Sequence, residues 1–251
     1  MWLQRWLGDL YVNLWVKFRY DTADFEEIRN VMSIPENKLR VALSLLKKHK
    51  ALIEFEKVSR KIHYRITPPE VFFLLQSGMI LNTDKIPPKY FQLITRLLNM
   101  LLLELDLLGF SVYGSVARGT AKLTSDVDLF LVSEGFQKIL SHRIDSLIKL
   151  EKKVEDEILW LSNMGIYTHV SWIPLTPNEV KKFPPILLDI CEDGIILYEK
   201  NRFLNRLFSV VKGRLAELGA VRVYVKNGWY WDLKPSLKYG EDLKIELPTI
   251  S

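Results

Sequence analysis

The sequence predicts an α+β chain in two unlike parts: helices closed by a short hairpin, then a mixed sheet flanked by helices, with a C-terminal helix and β-hairpin extension. Three observations predict it. Helix-period apolar patterns and short alternating runs succeed one another along the 251 residues. Proline pairs at Pro68-Pro69 and Pro87-Pro88 punctuate the chain between the two parts. Positive charge is gathered in one place: Lys38 to Arg65 holds nine Lys/Arg against Glu54 and Glu56, a local excess of +7, so the rest of a chain with net charge +5 sums to −2.

Composition excludes several classes. With 48% hydrophobic and 26% charged residues the chain is too apolar for intrinsic disorder. Cys191 is the only cysteine, which removes an intramolecular disulfide and a Cys-rich zinc site and fits a reducing, cytoplasmic compartment. His49, His63, His142 and His169 show no zinc-ligand spacing. Arg5 and Asp9 interrupt the apolar N-terminus, so it does not read as a signal peptide. The apolar run Leu97–Leu108 is broken by Asn99, Glu104 and Asp106 and reads as a buried helix, not a membrane span.

Taken in order, Leu3, Leu7, Leu10, Leu14 and Phe18 fall at helical spacing, and a second helix is expected over Phe25–Val31. Ser33-Ile34-Pro35-Glu36 reads as a capping box opening a third helix. That helix puts Leu39, Ala42, Leu43 and Leu46 on one face and Lys38, Arg40, Ser44, Lys47 and Lys48 on the others. Leu52–Glu56 and Ile62–Ile66 alternate as strands joined by the basic tip Lys57–Lys61.

Helix, helix, basic amphipathic helix and basic hairpin resemble the archaeal and bacterial winged helix-turn-helix DNA-binding domains over residues 1–70, down to the ending Tyr64-Arg65-Ile66-Thr67-Pro68. The resemblance implies DNA as a partner, with Lys38, Arg40, Ser44, Lys47 and Lys48 in the major groove and Arg60 and Lys61 on phosphates. The alternative is a solvated basic face on a domain used for dimerisation or docking. Residues 71–87 form a connector containing a short apolar helix.

A buried helix over 89–108 and a strand Phe110–Tyr113 lead into Gly114-Ser115-Val116-Ala117-Arg118-Gly119-Thr120-Ala121, then into Ser125-Asp126-Val127-Asp128-Leu129 at the head of a second strand. Alternation along that strand puts Asp126 and Asp128 on one face, where two like charges call for a cation such as Mg²⁺. Gly114 lets backbone approach a phosphate, Ser115 and the following helix start offer donors, and Arg118 adds a positive charge. A phosphate cradle beside paired carboxylates suits the polarising of an α-phosphate and the expulsion of pyrophosphate.

This spacing resembles the signature of the DNA polymerase β nucleotidyltransferase superfamily in its minimal form, over residues 88–200, with 201–251 as the extension. The resemblance implies that Asp126 and Asp128 are catalytic and hold Mg²⁺ or Mn²⁺. It also implies that Gly114, Ser115, Arg118, Gly119 and Ser125 bind the nucleoside triphosphate, ATP among the candidates. One feature departs from the pattern. Active members carry a third carboxylate on a neighbouring strand, whereas the matching stretch Gly165–Pro174 has no acid and offers His169 and Ser171. His169 is read as a hydrogen-bonded strand residue in preference to a base, and Glu179, Asp189, Glu192 and Asp193 stay open as substitutes. Asp193-Gly194 reads as a turn before the strand Ile195–Tyr198.

The tail predicts a helix from Phe203 to Leu218 stopped by Gly219, then a hairpin turning at Asn227-Gly228. Its Arg222, Lys226, Lys234 and Lys238 with Trp229, Tyr230, Trp231 and Tyr239 are read as covering a hydrophobic layer in preference to stacking on bases. The leading expectation is a metal-dependent transferase that moves a nucleoside monophosphate to an acceptor hydroxyl, a protein acceptor included, localised by its nucleic-acid-binding domain. The alternatives are a DNA-binding regulator whose degenerate transferase domain senses nucleotide, and an antitoxin-like partner of a HEPN toxin. A protein partner or an oligomer fits any of these, and no membrane association is expected.

Overall fold

The structure, a computed structural model, describes residues 3–137, 139–226 and 228–237. It begins α1 (Arg5–Phe18), β1 (Thr22–Ala23), α2 (Phe25–Val31), α3 (Glu36–Lys48), β2 (Leu52–Val58), β3 (Lys61–Ile66), α4 (Pro69–Gln76) and α5 (Pro88–Glu104). It continues β4 (Leu107–Tyr113), α6 (Gly114–Ala117), β5 (Val127–Ser133), α7 (Leu140–Glu151), α8 (Glu155–Asn163), β6 (Val170–Leu175), α9 (Pro177–Lys181) and α10 (Ile186–Asp193). β7 (Ile195–Glu199), α11 (Phe203–Leu218), β8 (Val221–Val225) and β9 (Gly228–Asp232) complete it.

Two compact units result. Residues up to Glu104, with Ala121–Asp126 and Ser146–His169, make one; Leu105–Thr120, Val127–Asp145 and the residues from Val170 onward make the other. In the first, β1, β3 and β2 form an antiparallel sheet in that order, and Leu7, Leu10, Leu14, Ile28, Leu39, Leu43 and Leu46 close a core with Leu52, Tyr64 and Ile66. The β2–β3 turn is tighter than its basic tip implies. Val58 pairs with Lys61, and Ser59 and Arg60 both take positive φ, as a two-residue hairpin requires.

The expected capping box at Ser33 does not form. α3 starts at Glu36 with Pro35 at its N-cap and no side-chain cap, so Glu36 stands at the first helical position, not the third, and it reaches forward to Arg40. A capping box does form one helix earlier, where Asp24 accepts from the Glu27 amide and Glu27 accepts from the Asp24 amide.

Farther along the first unit, Gln92 of α5 donates to the Ile66 carbonyl at 2.8 Å, and Arg65 enters a fully buried ion pair with Glu157 of α8. α5 is shorter than expected: it ends at Glu104, and Leu107 and Leu108 already belong to β4. Between β5 and β6 run α7, a 3₁₀ turn and α8. No helix among the described residues is long and apolar enough to cross a membrane.

The second unit holds a four-stranded mixed sheet ordered β6-β5-β4-β7, with β5 and β6 parallel and the other pairs antiparallel. Phe130, Val132, Leu187, Ile190, Leu204, Leu207 and Val211 fill its core. α11 ends at Gly219, whose φ of +68° supplies the left-handed cap. β8 and β9 pair as a separate hairpin. Asn227 of the expected turn, with Lys238 and Tyr239, lies outside the described residues.

Candidate functional site

β4 runs straight into α6, and the junction is Gly114 at φ +70°. A Cβ there would stand 2.0 Å from Asp128 Oδ2, so the Asp128 carboxylate is seated directly on the glycine. Any other residue would displace it. The two ends of the sequence signature are therefore brought together at a glycine whose missing Cβ leaves room for the carboxylate.

Asp128 sits second in β5, paired with Tyr113 of β4 on one side and Ser171 of β6 on the other. Burial, then the Asp128 and Asp189 carboxylates, push the Tyr113 phenol up to about 12 against a hydrogen bond with Ser171. Tyr113 is thus a neutral hydroxyl at any ordinary pH. The strand position beside Asp128, where a third carboxylate was sought, is filled by Ser171.

Asp126 lies just before β5 and is exposed, so the strand opens with one carboxylate, not two. His169 likewise precedes β6 and is exposed, so it shares no strand face with Ser171. Among the described residues, no group of three or more His, Cys, Asp or Glu could hold a metal ion. Two carboxylates one residue apart are hard oxygen donors of the kind Mg²⁺ takes when substrate phosphates complete its shell.

Four acids were left open as substitutes, and each has other work. Glu179 accepts two bonds from Arg143 at 2.6 and 2.9 Å and caps α9 through Thr176; the Arg143 bonds lead in holding its carboxyl down to about 2. Glu192 pairs with Lys212. Asp189 accepts from the indole N–H of both Trp229 and Trp231. Asp193 takes Arg222 through two bonds and Arg118 through one; burial raises its carboxyl, but the arginines outweigh this and leave it below the usual carboxylate range.

The remaining signature residues divide. Ser115 accepts the Thr120 amide through its carbonyl, Gly119 takes φ +69°, and Arg118 lies over the Trp229 ring at 4.6 Å, all within the second unit. Ser125 belongs to the first unit, where its hydroxyl accepts the Lys122 amide. Arg222 and the two tryptophans were read as a covering layer, and their indoles and guanidinium are indeed engaged inside the protein. Sequence reasoning missed that Arg222 and Arg118 share Asp193, because they lie 29 and 75 positions from it.

On the basic segment, Arg40 binds Glu36 and covers the Phe25 ring, Lys47 pairs with Glu54, Lys61 with Asp24, and Lys38 lies over Trp6. Ser44, Lys48 and Arg60 are exposed. Glu36 and Asp24 lie outside the 38–65 segment, so these two pairs offset two charges of the +7, in which Glu54 is already counted.

Residues 98–197, which include the Gly114–Asp128 signature, match the model of a family described as "Nucleotidyltransferase domain". A "putative protein adenylyltransferase" of Methanocaldococcus jannaschii is 27% identical over 127 residues, 49% of this chain and 80% of that protein. A solved structure described as a toxin–antitoxin with AMP-PNP is 14% identical, with a TM-score of 0.32, over 55% of this chain and 94% of its own.

Proposed function

We propose that the chain transfers a nucleoside monophosphate from an NTP, ATP foremost, to an acceptor hydroxyl on a protein. The observation that carries the proposal is the Asp128 carboxylate seated on Gly114 at the start of the Gly-Ser turn. That contact sets an acid where a triphosphate cradled by Gly114, Ser115, Arg118, Gly119 and Ser125 would present its phosphates. Asp126 and Asp128 would hold Mg²⁺ or Mn²⁺ together with those phosphates; bound there, the ion would withdraw charge from the α-phosphate and stabilise the leaving pyrophosphate. The protein acceptor and the preference for ATP are supported by the name of the Methanocaldococcus relative.

In the same reading, residues 1–70 are a winged helix that meets nucleic acid, 88–200 the transferase domain, and 201–251 its extension. The order of α2, α3 and the β2–β3 hairpin supports the first of these. Lys48 and Arg60 are exposed and stand near Arg40, Lys47 and Lys61, which are already paired, so they are its better phosphate contacts.

A second reading is favoured by Ser171 standing beside Asp128. With no acid there, the domain would bind nucleotide without turnover and serve a DNA-binding regulator or an antitoxin-like partner as a sensor. Incubation of the chain with α-labelled ATP, Mg²⁺ or Mn²⁺ and cell extract separates the two. Label in a protein band that disappears with Asp126→Ala/Asp128→Ala supports transfer. Nucleotide binding without label supports the sensor, and neither binding nor label sinks both.

A further inference from the structure

A guanidinium already held still receives phosphate at less cost, because an arginine side chain otherwise gives up rotamer entropy on binding. Arg118 is held. Its Nη1 donates to Asp193 Oδ2 at 3.0 Å, and its guanidinium lies 4.6 Å from the centre of the Trp229 ring. Asp193 Oδ2 also receives Arg222 Nη2 at 2.8 Å while Oδ1 receives Nη1 at 3.1 Å, and Arg222 in turn lies over Trp229 at 4.1 Å.

The tryptophan is itself fixed. Trp229 Nε1 and Trp231 Nε1 both donate to Asp189 Oδ1, at 3.0 and 3.1 Å. Asp189 and Asp193 are four apart on α10, one helical turn, so both carboxylates stand on the same face. The β8–β9 register puts Arg222 opposite Trp231, which brings the three hairpin side chains to the same side of that hairpin. An arginine pair made only for stability would be complete as Arg222–Asp193. The carboxylate instead shares one oxygen with Arg118, whose side chain is 28% exposed and, among the described residues, is seen to donate one of its five N–H groups to a protein acceptor.

We infer that the C-terminal hairpin is part of the nucleotide site: Asp193 and Trp229 are positioning residues that aim Arg118 at the triphosphate. The inference rests on the proposed role of Arg118 as a nucleotide ligand. Freed of Asp193 and Trp229, Arg118 would still be present and charged but would have to be ordered by the nucleotide itself, so the loss falls on ground-state binding.

The test uses the full chain, with Kd for a non-hydrolysable ATP analogue in Mg²⁺ and KM and kcat for transfer. Asp193→Asn is expected to weaken binding and raise KM by about tenfold with kcat within about twofold. Trp229→Leu should do the same by a smaller factor, while Trp229→Phe, which keeps a ring under the guanidinium, should bind close to the parent chain. In an Arg118→Ala background, Asp193→Asn should add less than about twofold, because the residue acts through Arg118. Glu192→Gln, its neighbour paired with Lys212, should bind like the parent. If Asp193→Asn weakens binding equally with and without Arg118, or if Trp229→Leu and Trp229→Phe behave alike, positioning is overturned. Should Asp193→Asn fail to fold, the Trp229 pair of variants decides alone. Arg118→Ala without effect where Asp128→Asn abolishes binding ends the inference and leaves the proposed function standing; no binding by the parent chain ends the proposed function itself.

Discussion

Replacing Glu157 by glutamine strips the charge from the most deeply buried ion pair of the first unit. The Arg65 and Glu157 side chains are 2% and 0% exposed and joined by two hydrogen bonds of 2.6 and 2.9 Å; Arg65 also donates to the Tyr20 carbonyl and lies 3.8 Å over the Trp160 ring. Uncompensated charge in such a place costs about 3–5 kcal/mol. For a chain this long that corresponds to a fall in Tm of about 6–20 °C. Arg65→Met/Glu157→Leu removes both charges together and should recover most of the loss, since apolar replacement of a whole buried pair is often neutral. The exposed pair Arg29–Glu36 serves as control, and its removal should cost less than about 1 kcal/mol. Urea unfolding followed by tryptophan fluorescence measures the three variants against the parent chain, with the transition of the first unit fitted separately because two units need not unfold together. A cost below about 1 kcal/mol for Glu157→Gln, or a double variant no more stable than the single, would refute the reasoning.

Gly114→Ala sets a Cβ 2.0 Å from Asp128 Oδ2 at a φ of +70°, so it should cost about 1–3 kcal/mol in thermal unfolding and abolish nucleotide binding, whereas Gly119→Ala, at φ +69° but with open space around it, carries only the backbone strain and should weaken binding less. Glu179, held down to about 2 chiefly by Arg143, contributes stability that is present above its ordinary value near 4.5 and is lost as pH falls toward 2. The shift is worth about 3 kcal/mol in full, and about 1–2 after discounting for a carboxylate one-third exposed, so Glu179→Gln should flatten the acid limb of a stability-against-pH curve. Asp24→Ala removes the α2 capping box and the partner of Lys61, and should lower stability by about 1 kcal/mol in urea titration, with Asp24→Asn recovering part of it. Lys48→Ala and Arg60→Ala should each make log Kd for duplex DNA less salt-dependent by about 0.9, while Arg40→Ala, already paired to Glu36, should change the slope little.

What the sequence made legible was local. The 3.6-residue spacing of Leu39, Ala42, Leu43 and Leu46 and the alternation in β2 and β3 settle those elements because each is stabilised by the face it buries. The errors fall where two local rules compete. Ser33-x-x-Glu36 satisfies the letter of a capping box, but the helix starts only at Glu36, and the box that forms, Asp24-x-x-Glu27, opens a helix of only seven residues. Leu107-Leu108 extends the α5 apolar run without a break, and a short apolar run does not say whether it is helix or strand; pairing with Ser133 and its neighbours in β5 decides it. The site divides in the same way. Gly114 to Asp128 is readable because the chain itself carries the spacing, whereas the cluster around Asp193 depends on contacts across 29 and 75 positions, for which a single sequence has no pattern.

The row Tyr113, Asp128, Ser171 bears on how such a site could work with two carboxylates. On the proposed reading, a third acid beside Asp128 would add negative charge and an oxygen ligand at the same place. Ser171 supplies a neutral hydroxyl instead, and it is engaged with a phenol that burial keeps protonated. On that reading the described residues offer a divalent ion two carboxylates, Asp126 and Asp128, fewer ligands than an octahedral Mg²⁺ shell requires. The missing oxygens must come from water or from the nucleotide, and phosphate oxygens, carrying charge, are the stronger donors. Metal and nucleotide affinity are then two readings of one coupled equilibrium: each ligand must tighten the other by the same factor. On the inference made above, Arg118, held by Asp193 and Trp229, would act on the phosphate side of that equilibrium. A chain that lacks the third acid can on these terms still assemble a complete shell, but only once the substrate is in place.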